Sequence, residues 1–241
     1  MKQILMTVAA ACLAASAMAQ VQIGPKVGMN MYKISYGEDL DEEAKESSVI
    51  GFNVGVATSF GISENFSIAP ELIFTQKGSR VKCEGSTITF DGTTSVDIDY
   101  KEDYMTKLNY LEMPVLARFA FGSSTKGYLN LGPSVGYWLG GKSKYTLEAG
   151  DESEEGTAKI KFVSEYSEDS EDDEYLKEEA KRLEVGGIVG GGMMLPTSAG
   201  NILLDIRYQA GFTSLFDFDE EDEKFKNNGL SVSLIYLFGS K

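Results

Sequence analysis

From residue 21 onward, apolar and polar residues alternate with a period of two in one stretch after another. Successive side chains of a β-strand point to opposite faces, so the pattern predicts strands with one apolar and one polar side. It runs through residues 21–32, 50–60, 66–77, 110–121, 128–139, 183–195, 202–212 and 230–238. In the first, Val21, Ile23, Pro25, Val27, Met29 and Met31 oppose Gln22, Gly24, Lys26, Gly28 and Asn30. In the fourth, Leu111, Met113, Val115, Ala117, Phe119 and Phe121 oppose Glu112, Arg118 and Ala120. The sixth is heavy in glycine, and its phase stays open. Pro25, Pro70, Pro114 and Pro133 fall inside these strands, where each removes a ladder donor. They predict local bulges, or strand ends displaced from these limits.

The connections alternate as well. Residues 61–65, 122–127 and 196–201 are short runs of turn chemistry, tight enough for hairpins. Residues 33–49, 78–109, 140–182 and 213–229 are long and polar. An up-and-down meander then gathers the short turns and both termini at one end and the long loops at the other. Outer-membrane barrels have that asymmetry. No apolar run after residue 20 reaches the roughly 18 residues of a transmembrane helix.

Periodicity alone leaves a lipocalin-like barrel or a sandwich open. The polar face narrows the choice, because it is built mostly of Gly, Ala, Ser and Asn with sparse charges. That composition suits the crowded inside of a narrow barrel better than a solvated surface. Phe60, Phe66, Phe121, Tyr128 and Phe238 gather near the short turns and read as an interfacial aromatic girdle. The expected fold is all-β: an eight-stranded antiparallel up-and-down transmembrane β-barrel with short periplasmic turns and long acidic outer loops.

Charge supports the division into two ends. The chain holds 37 acids against 22 bases, a net −15 over 241 residues. Of those acids, 32 fall in the four long connections, leaving Glu64, Glu71, Glu112, Glu184 and Asp205 elsewhere. Such acidity argues against nucleic acid, whose binders need a basic face. Histidine is absent, which removes Ser-His-Asp triads, Cys-His dyads and imidazole metal sites.

Residues 1–19 read as a cleaved secretory signal peptide. Lys2 precedes an uncharged stretch that ends in Ala17-Met18-Ala19. The rival, a lipoprotein signal acylated on Cys12, would follow Ala9-Ala10-Ala11, a poor lipobox. Residues 20–241 then form the barrel domain, with Cys83 its single thiol, exported through the general secretory pathway to the outer membrane of a Gram-negative cell.

The charges on the polar face are the candidate interior cluster: Lys26, Glu71, Lys77, Glu112, Arg118, Glu184, Asp205 and Arg207. Facing residues of an antiparallel pair have a constant index sum, and both Glu71/Arg118 and Lys77/Glu112 sum to 189. One register would therefore set both pairs face to face as a salt-bridge ladder. Buried charge survives only when paired, and a narrow barrel is filled by its side chains. A plugged lumen follows; a wet channel lined by the same charges is the alternative.

Gly24-Pro25-Lys26-Val27-Gly28, Ala69-Pro70-Glu71-Leu72, Leu108-Asn109-Tyr110-Leu111-Glu112-Met113-Pro114 and Leu131-Gly132-Pro133-Ser134-Val135-Gly136 resemble the PorT-like outer-membrane β-barrel family of Bacteroidota. So does the terminal Tyr236-Leu237-Phe238, which looks like the signal read by the barrel assembly machinery. The resemblance implies an eight-stranded barrel, called porin-family or PorT-family, most of whose members have no assigned activity; no catalytic residue and no cofactor are expected. One member of that family takes part in a gliding and secretion system.

The acidic connections offer no metal site on inspection. Asp217-Phe218-Asp219-Glu220-Glu221-Asp222 opens like a calcium loop, but Asp222 stands where glycine is needed and Asn228 where glutamate is needed. Within 171–183, Leu176, Ala180 and Leu183 have helical spacing, so a short helix or an extension of the sixth strand are both open. Among function classes, the sequence favours a monomeric structural or surface-interaction barrel, which meets outer-membrane lipid, lipopolysaccharide and envelope or extracellular proteins. A small-solute channel and an accessory of an envelope secretion system are the alternatives. An enzyme is disfavoured by the missing histidine.

Overall fold

The computed structural model describes residues 21–35, 44–90, 95–150, 152–161, 175–177, 182–214 and 225–239. Residues 1–19 and the calcium-loop-like 217–222 lie outside that set. Among the described residues, every regular element is a strand, and ten strands form one sheet. They are β1 (Val21–Ser35), β2 (Ala44–Gly61), β3 (Phe66–Phe90), β4 (Ser95–Phe121), β5 (Lys126–Ala149), β6 (Glu152–Lys161), β7 (Tyr175–Lys177), β8 (Leu183–Thr197), β9 (Gly200–Gly211) and β10 (Lys226–Phe238).

The order β4-β3-β2-β1-β10-β9-β8-β5 closes into a ring, because β5 pairs again with β4. All ladders of the ring are antiparallel. Closure removes the free edges that an open sheet would present. The lower part of β5, Lys126 to Tyr137, pairs with β8, whereas its upper part, Gly141 to Ala149, pairs with β6. Tyr175–Lys177 adds a parallel strand to β6, so Leu176 is in a strand, while Ala180 of the helical-spacing reading lies outside the described residues.

Burial alternates as the period-two pattern requires. On β1, Lys26, Asn30 and Tyr32 are buried inside the ring, while Val27 and Met29 are 57% and 63% exposed outside it. The same phase holds around the ring: Leu111 and Met113, Leu129 and Leu131, Leu204 and Ile206, and Val232 and Leu234 all point outward. β8 takes Glu184, Gly186 and Ile188 inward and Leu183 and Val189 outward. Its glycines have a packing reason. A Cβ at Gly190 would stand 2.8 Å from the Arg207 side chain, and one at Gly192 would stand 2.7 Å from the Tyr128 hydroxyl.

Two expectations need correction. The prolines produce neither bulges nor displaced ends. Ile23↔Phe238 and Lys26↔Ile235 keep one register across Pro25, and Pro70↔Val115 and Ile73↔Glu112 keep one register up to Pro114. A missing N–H opens the ladder locally without adding a residue, so the flanking pairs hold alignment. In one such gap Thr58 Oγ1 donates to the Pro70 carbonyl at 2.6 Å. The register shifts lie elsewhere, between Ser48 and Asn53 of β2 and at Asn109/Tyr110 of β4.

The strands also overrun their expected ends. β3 and β4 reach 25 and 27 residues, against the roughly 9–11 that cross a bilayer. Segments 78–109 and 140–182 read as loops because they are long and polar overall, although Val96, Ile98, Tyr100 and Tyr104 alternate with Asp97, Asp99, Lys101 and Asp103. In the structure, Gly78 to Phe90 pairs with Ser95 to Lys107, and Tyr100 to Asn109 pairs with Gly140 to Ala149. These extensions, with β6, form a sheet that stands beyond the ring at the end away from the short turns.

Ring closure is testable through the β1–β10 ladder. In a Cys83→Ser background, Met29→Cys with Val232→Cys, which face each other, should cross-link on mild oxidation. Met29→Cys with Ile206→Cys, a strand further round, should not; non-reducing electrophoresis reads both.

Candidate functional site

The charged residues buried among the described part of the chain are Lys26, Glu71, Lys77, Glu112, Arg118, Glu184, Asp205 and Arg207, each at most 3% exposed. Their odd or even position on each strand sends them inward with the small residues. They collect into two clusters at different heights.

The cluster nearer the short turns is centred on Glu71 of β3. Lys26 donates to its Oε2 at 2.9 Å. Arg207 grips both oxygens, Nη1 to Oε2 at 2.8 Å and Nη2 to Oε1 at 2.7 Å. Since β3 and β9 stand on opposite sides of the ring, this fork spans the lumen. Such bidentate pairing is the strongest geometry for a guanidinium and a carboxylate. Arg207 Nε also pairs with Asp205. Asp205 Oδ2 in turn accepts from the Tyr128 hydroxyl at 2.8 Å and from Asn130 Nδ2 at 2.9 Å.

The second cluster surrounds Lys77. Its ammonium pairs with Glu112 at 2.7 Å and with Glu184. It also lies 5.0 Å from the Tyr32 ring centre and 4.8 Å from that of Tyr110, within cation–π range. Gln209 donates to Glu112 at 2.8 Å, and Tyr32 donates to Gln209 at 2.7 Å. Asn227 Nδ2 serves Glu184 and, at 3.3 Å, the Tyr110 hydroxyl. Trp138 stacks on Tyr110, 6.1 Å between centres. Between the clusters, Asn30, Asn53, Thr75 and Ser231 line a void of about 20 Å³, room for about one water.

The expected register of β3 on β4 is wrong by four residues. The observed index sum is 185, so Ser67 faces Arg118 and Ile73 faces Glu112. An even slip preserves the faces, and Lys77 still reaches Glu112 along the diagonal. Glu71 is held by Lys26 and Arg207 instead of Arg118. Arg118 Nε donates to Asn130 Oδ1 at 3.1 Å, and its guanidinium lies 5.0 Å from the Tyr128 ring centre. Its two Nη atoms have no protein partner.

Tyr128 also leaves the expected girdle. It shares the inward face of β5 with Asn130 and is 1% exposed. Phe121 and Phe238 are half exposed on the outer face, and Phe60 and Phe66 are partly buried. Tyr32, Tyr110, Asn130, Trp138, Gln209 and Asn227 complete the clusters without having been singled out in the sequence. Tyr32, Tyr110 and Gln209 share the strand parity of Lys26, Glu112 and Arg207, which was the available signal, whereas β5 and β10 carry no buried charge to mark Asn130, Trp138 and Asn227.

On the sheet beyond the ring, Arg80 donates to Asp103 through Nε at 2.6 Å and through Nη2. That bond holds the Asp103 carboxyl below its ordinary range. The stabilisation is present above the ordinary aspartate range and is lost as pH falls through the lowered one. Exposed as it is, the pair contributes little. Among the described residues, no group of Cys, Asp and Glu is arranged to hold a metal ion.

The outer membrane protein beta-barrel domain family matches residues 14–217. The chain belongs to this family. Similar solved structures include the attachment invasion locus protein Ail of Yersinia pestis in complex with the heparin analogue sucrose octasulfate, at 13% identity and a TM-score of 0.38, covering 91% of this chain and 99% of that one. Neisserial surface protein A is similar at 10% identity and 0.40, covering 90% and 96%. OprG of Pseudomonas aeruginosa is similar at 10% identity and 0.40, covering 91% and 95%. No curated protein matches the chain. The family places the protein in the outer membrane.

Within the cluster nearer the short turns, removal of different charges should have unequal effects. Glu71→Ala strands Lys26 and Arg207 inside the barrel and should cost about 3–5 kcal/mol. Arg118→Met, which removes a cation without a carboxylate partner, should cost less than about 1 kcal/mol. Urea unfolding in lipid vesicles, followed by tryptophan fluorescence, measures both.

Proposed function

We propose that this protein is a closed, monomeric barrel of the surface-interaction type, crossing the membrane with eight strands, β1 to β5 and β8 to β10. The short turns face the periplasm, and the overrunning strands and acidic connections face the medium. The lumen is plugged. The observation that carries this reading is the ion pair of Glu71 with Arg207 across the ring, backed by the Lys77 cluster at a second height. Any solute passing between the ends would have to break both clusters, each in a low-dielectric interior where separated charges are costly.

The four phrases shared with PorT-like proteins and the terminal Tyr236-Leu237-Phe238 support placement in that group of Bacteroidota, with export through the secretory pathway on the signal at 1–19. The absence of histidine supports a non-enzymatic role. The barrel serves as an anchor, and recognition falls to the structures above it.

Planar-bilayer recording tests the plug. The purified protein should show no steady conductance, while Glu71→Ala combined with Arg207→Ala should produce small, resolvable openings. Large steady conductance from the unmodified protein would establish a channel instead.

A further inference from the structure

The sheet that overruns the ring carries, on its outward face, a charge opposite to that of the chain. Cross-strand pairing orders this face into rows. Nearest the ring, beyond Gln76 and Asn109, stand Gly78, Lys107, Lys142 and Lys159, a row with three lysines and no acid. The next row is Ser47, Arg80, Met105, Lys144 and Thr157, with two cations and no acid. The third holds Lys45, Lys82, Asp103, Thr146 and Glu155, balanced. In the fourth, Glu84, Lys101, Glu148 and Ser153, acids exceed bases. Net positive charge is thus confined to the two rows next to the apolar band.

Nothing in the fold asks for this. Like charges directly across a ladder destabilise a sheet, and Lys107 faces Lys142. Among the described residues, no carboxylate forms an ion pair with Lys107, Lys142 or Lys144. Lys107 crosses Gly78 to donate to the Ile50 carbonyl at 3.1 Å, where the register shift of β2 leaves the β2–β3 ladder open. The three lysines, with Gln76, Met105 and Asn109, line a groove of about 500 Å³. Lys107 lies four residues above outward-facing Leu111. At about 3.3 Å per residue and a tilt of about 40°, that is roughly 10 Å further along the membrane normal. This is the level of lipid headgroups.

We propose that this groove docks the phosphate groups of the outer leaflet's glycolipid, with Lys107, Lys142 and Lys144 supplying the charge and Arg80 and Lys159 flanking them. Basic residues beside a membrane gain most from anionic headgroups within a Debye length, and the confinement of net positive charge to two rows follows that distance. The inference rests on the orientation proposed above, with the long strands outside.

The test titrates the full-length protein, folded in a zwitterionic detergent, with diphosphorylated lipid A and with the same glycolipid after dephosphorylation. The phosphorylated form should bind at least tenfold more tightly. Lys107→Gln with Lys142→Gln and Lys144→Gln should weaken it about tenfold to a hundredfold, and the corresponding three arginine substitutions should restore it. Lys101→Gln, in the fourth row, should change it less than twofold. The heat-dependent gel mobility of the folded barrel verifies that each variant is intact. Equal binding of the two glycolipids, or no loss in the triple glutamine variant, would overturn the proposal. Displacement of lipid A by millimolar inorganic phosphate would also overturn it, in favour of a free-anion site. Orientation is read separately by labelling Thr146→Cys, in a Cys83→Ser background, with an impermeant maleimide on intact cells. Absent labelling with lipid A binding retained would refute the orientation and leave the phosphate-binding face standing.

Discussion

The interior of this closed sheet has to neutralise itself, and the fork between Arg207 and Glu71 is where it does so across its full width. Among the described residues, these charges find their partners in one another and in the inward amides and tyrosines. Three cations and two carboxylates meet in the lower cluster; one cation and two carboxylates meet in the upper one. Neither cluster is neutral alone, and the two together are. The surplus cation of the lower set is Arg118, which leans on the Tyr128 ring and Asn130 instead of a carboxylate. Much of the strand chemistry follows from housing these groups. β8 is glycine-rich where Arg207 and Tyr128 lie over it, and tyrosines and amides fill the inward positions that charges leave.

How much of this could be read from the sequence depended on whether the property was local. Parity is local: the alternation of Leu111, Met113 and Val115 with Glu112 assigns faces without knowledge of any partner. It sent all eight charges inward together and should have sent Tyr128 with them, since Tyr128 and Asn130 share a face. Clustering near a turn outweighed parity there, and parity was the better guide. Partner choice is not local. The index-sum argument considered adjacent strands only, while Glu71 is satisfied from β9, 136 residues away. The four-residue error in register left every face assignment intact, as any even slip does. Strand length was hidden for a different reason. Above the apolar band the outward face of β3 and β4 turns polar, and the period-two signal of Ile98, Tyr100 and Tyr104 on the other face was outweighed by the acidity of the segment, though the hydrogen-bond ladder continues.

The same distinction separates the two halves of the molecule by the force that shapes each. Within the ring, an outward side chain meets an apolar medium and an inward one meets other protein groups, so composition on each strand is tightly constrained. Beyond the ring, β-branched and aromatic residues such as Val81, Ile98, Tyr100 and Tyr104 carry the strands upward on propensity and pairing. That region is free to vary its charge, and it does so in order of height. Cations lie in the rows nearest the band and acids gain toward the tip.

A net charge of −15 therefore describes no single surface of this protein. The interior balances, the outer wall of the ring is apolar, and the first rows above it are positive. Acidity is left to the tip and to the connections of the sequence. If the acids served only to keep the chain soluble, nothing would exclude them from the two rows beside the apolar band, where they would spare Lys107 and Lys142 their mutual repulsion. Their exclusion from those rows alone is a constraint on position, and positional constraint on charge is what contact with a charged layer imposes.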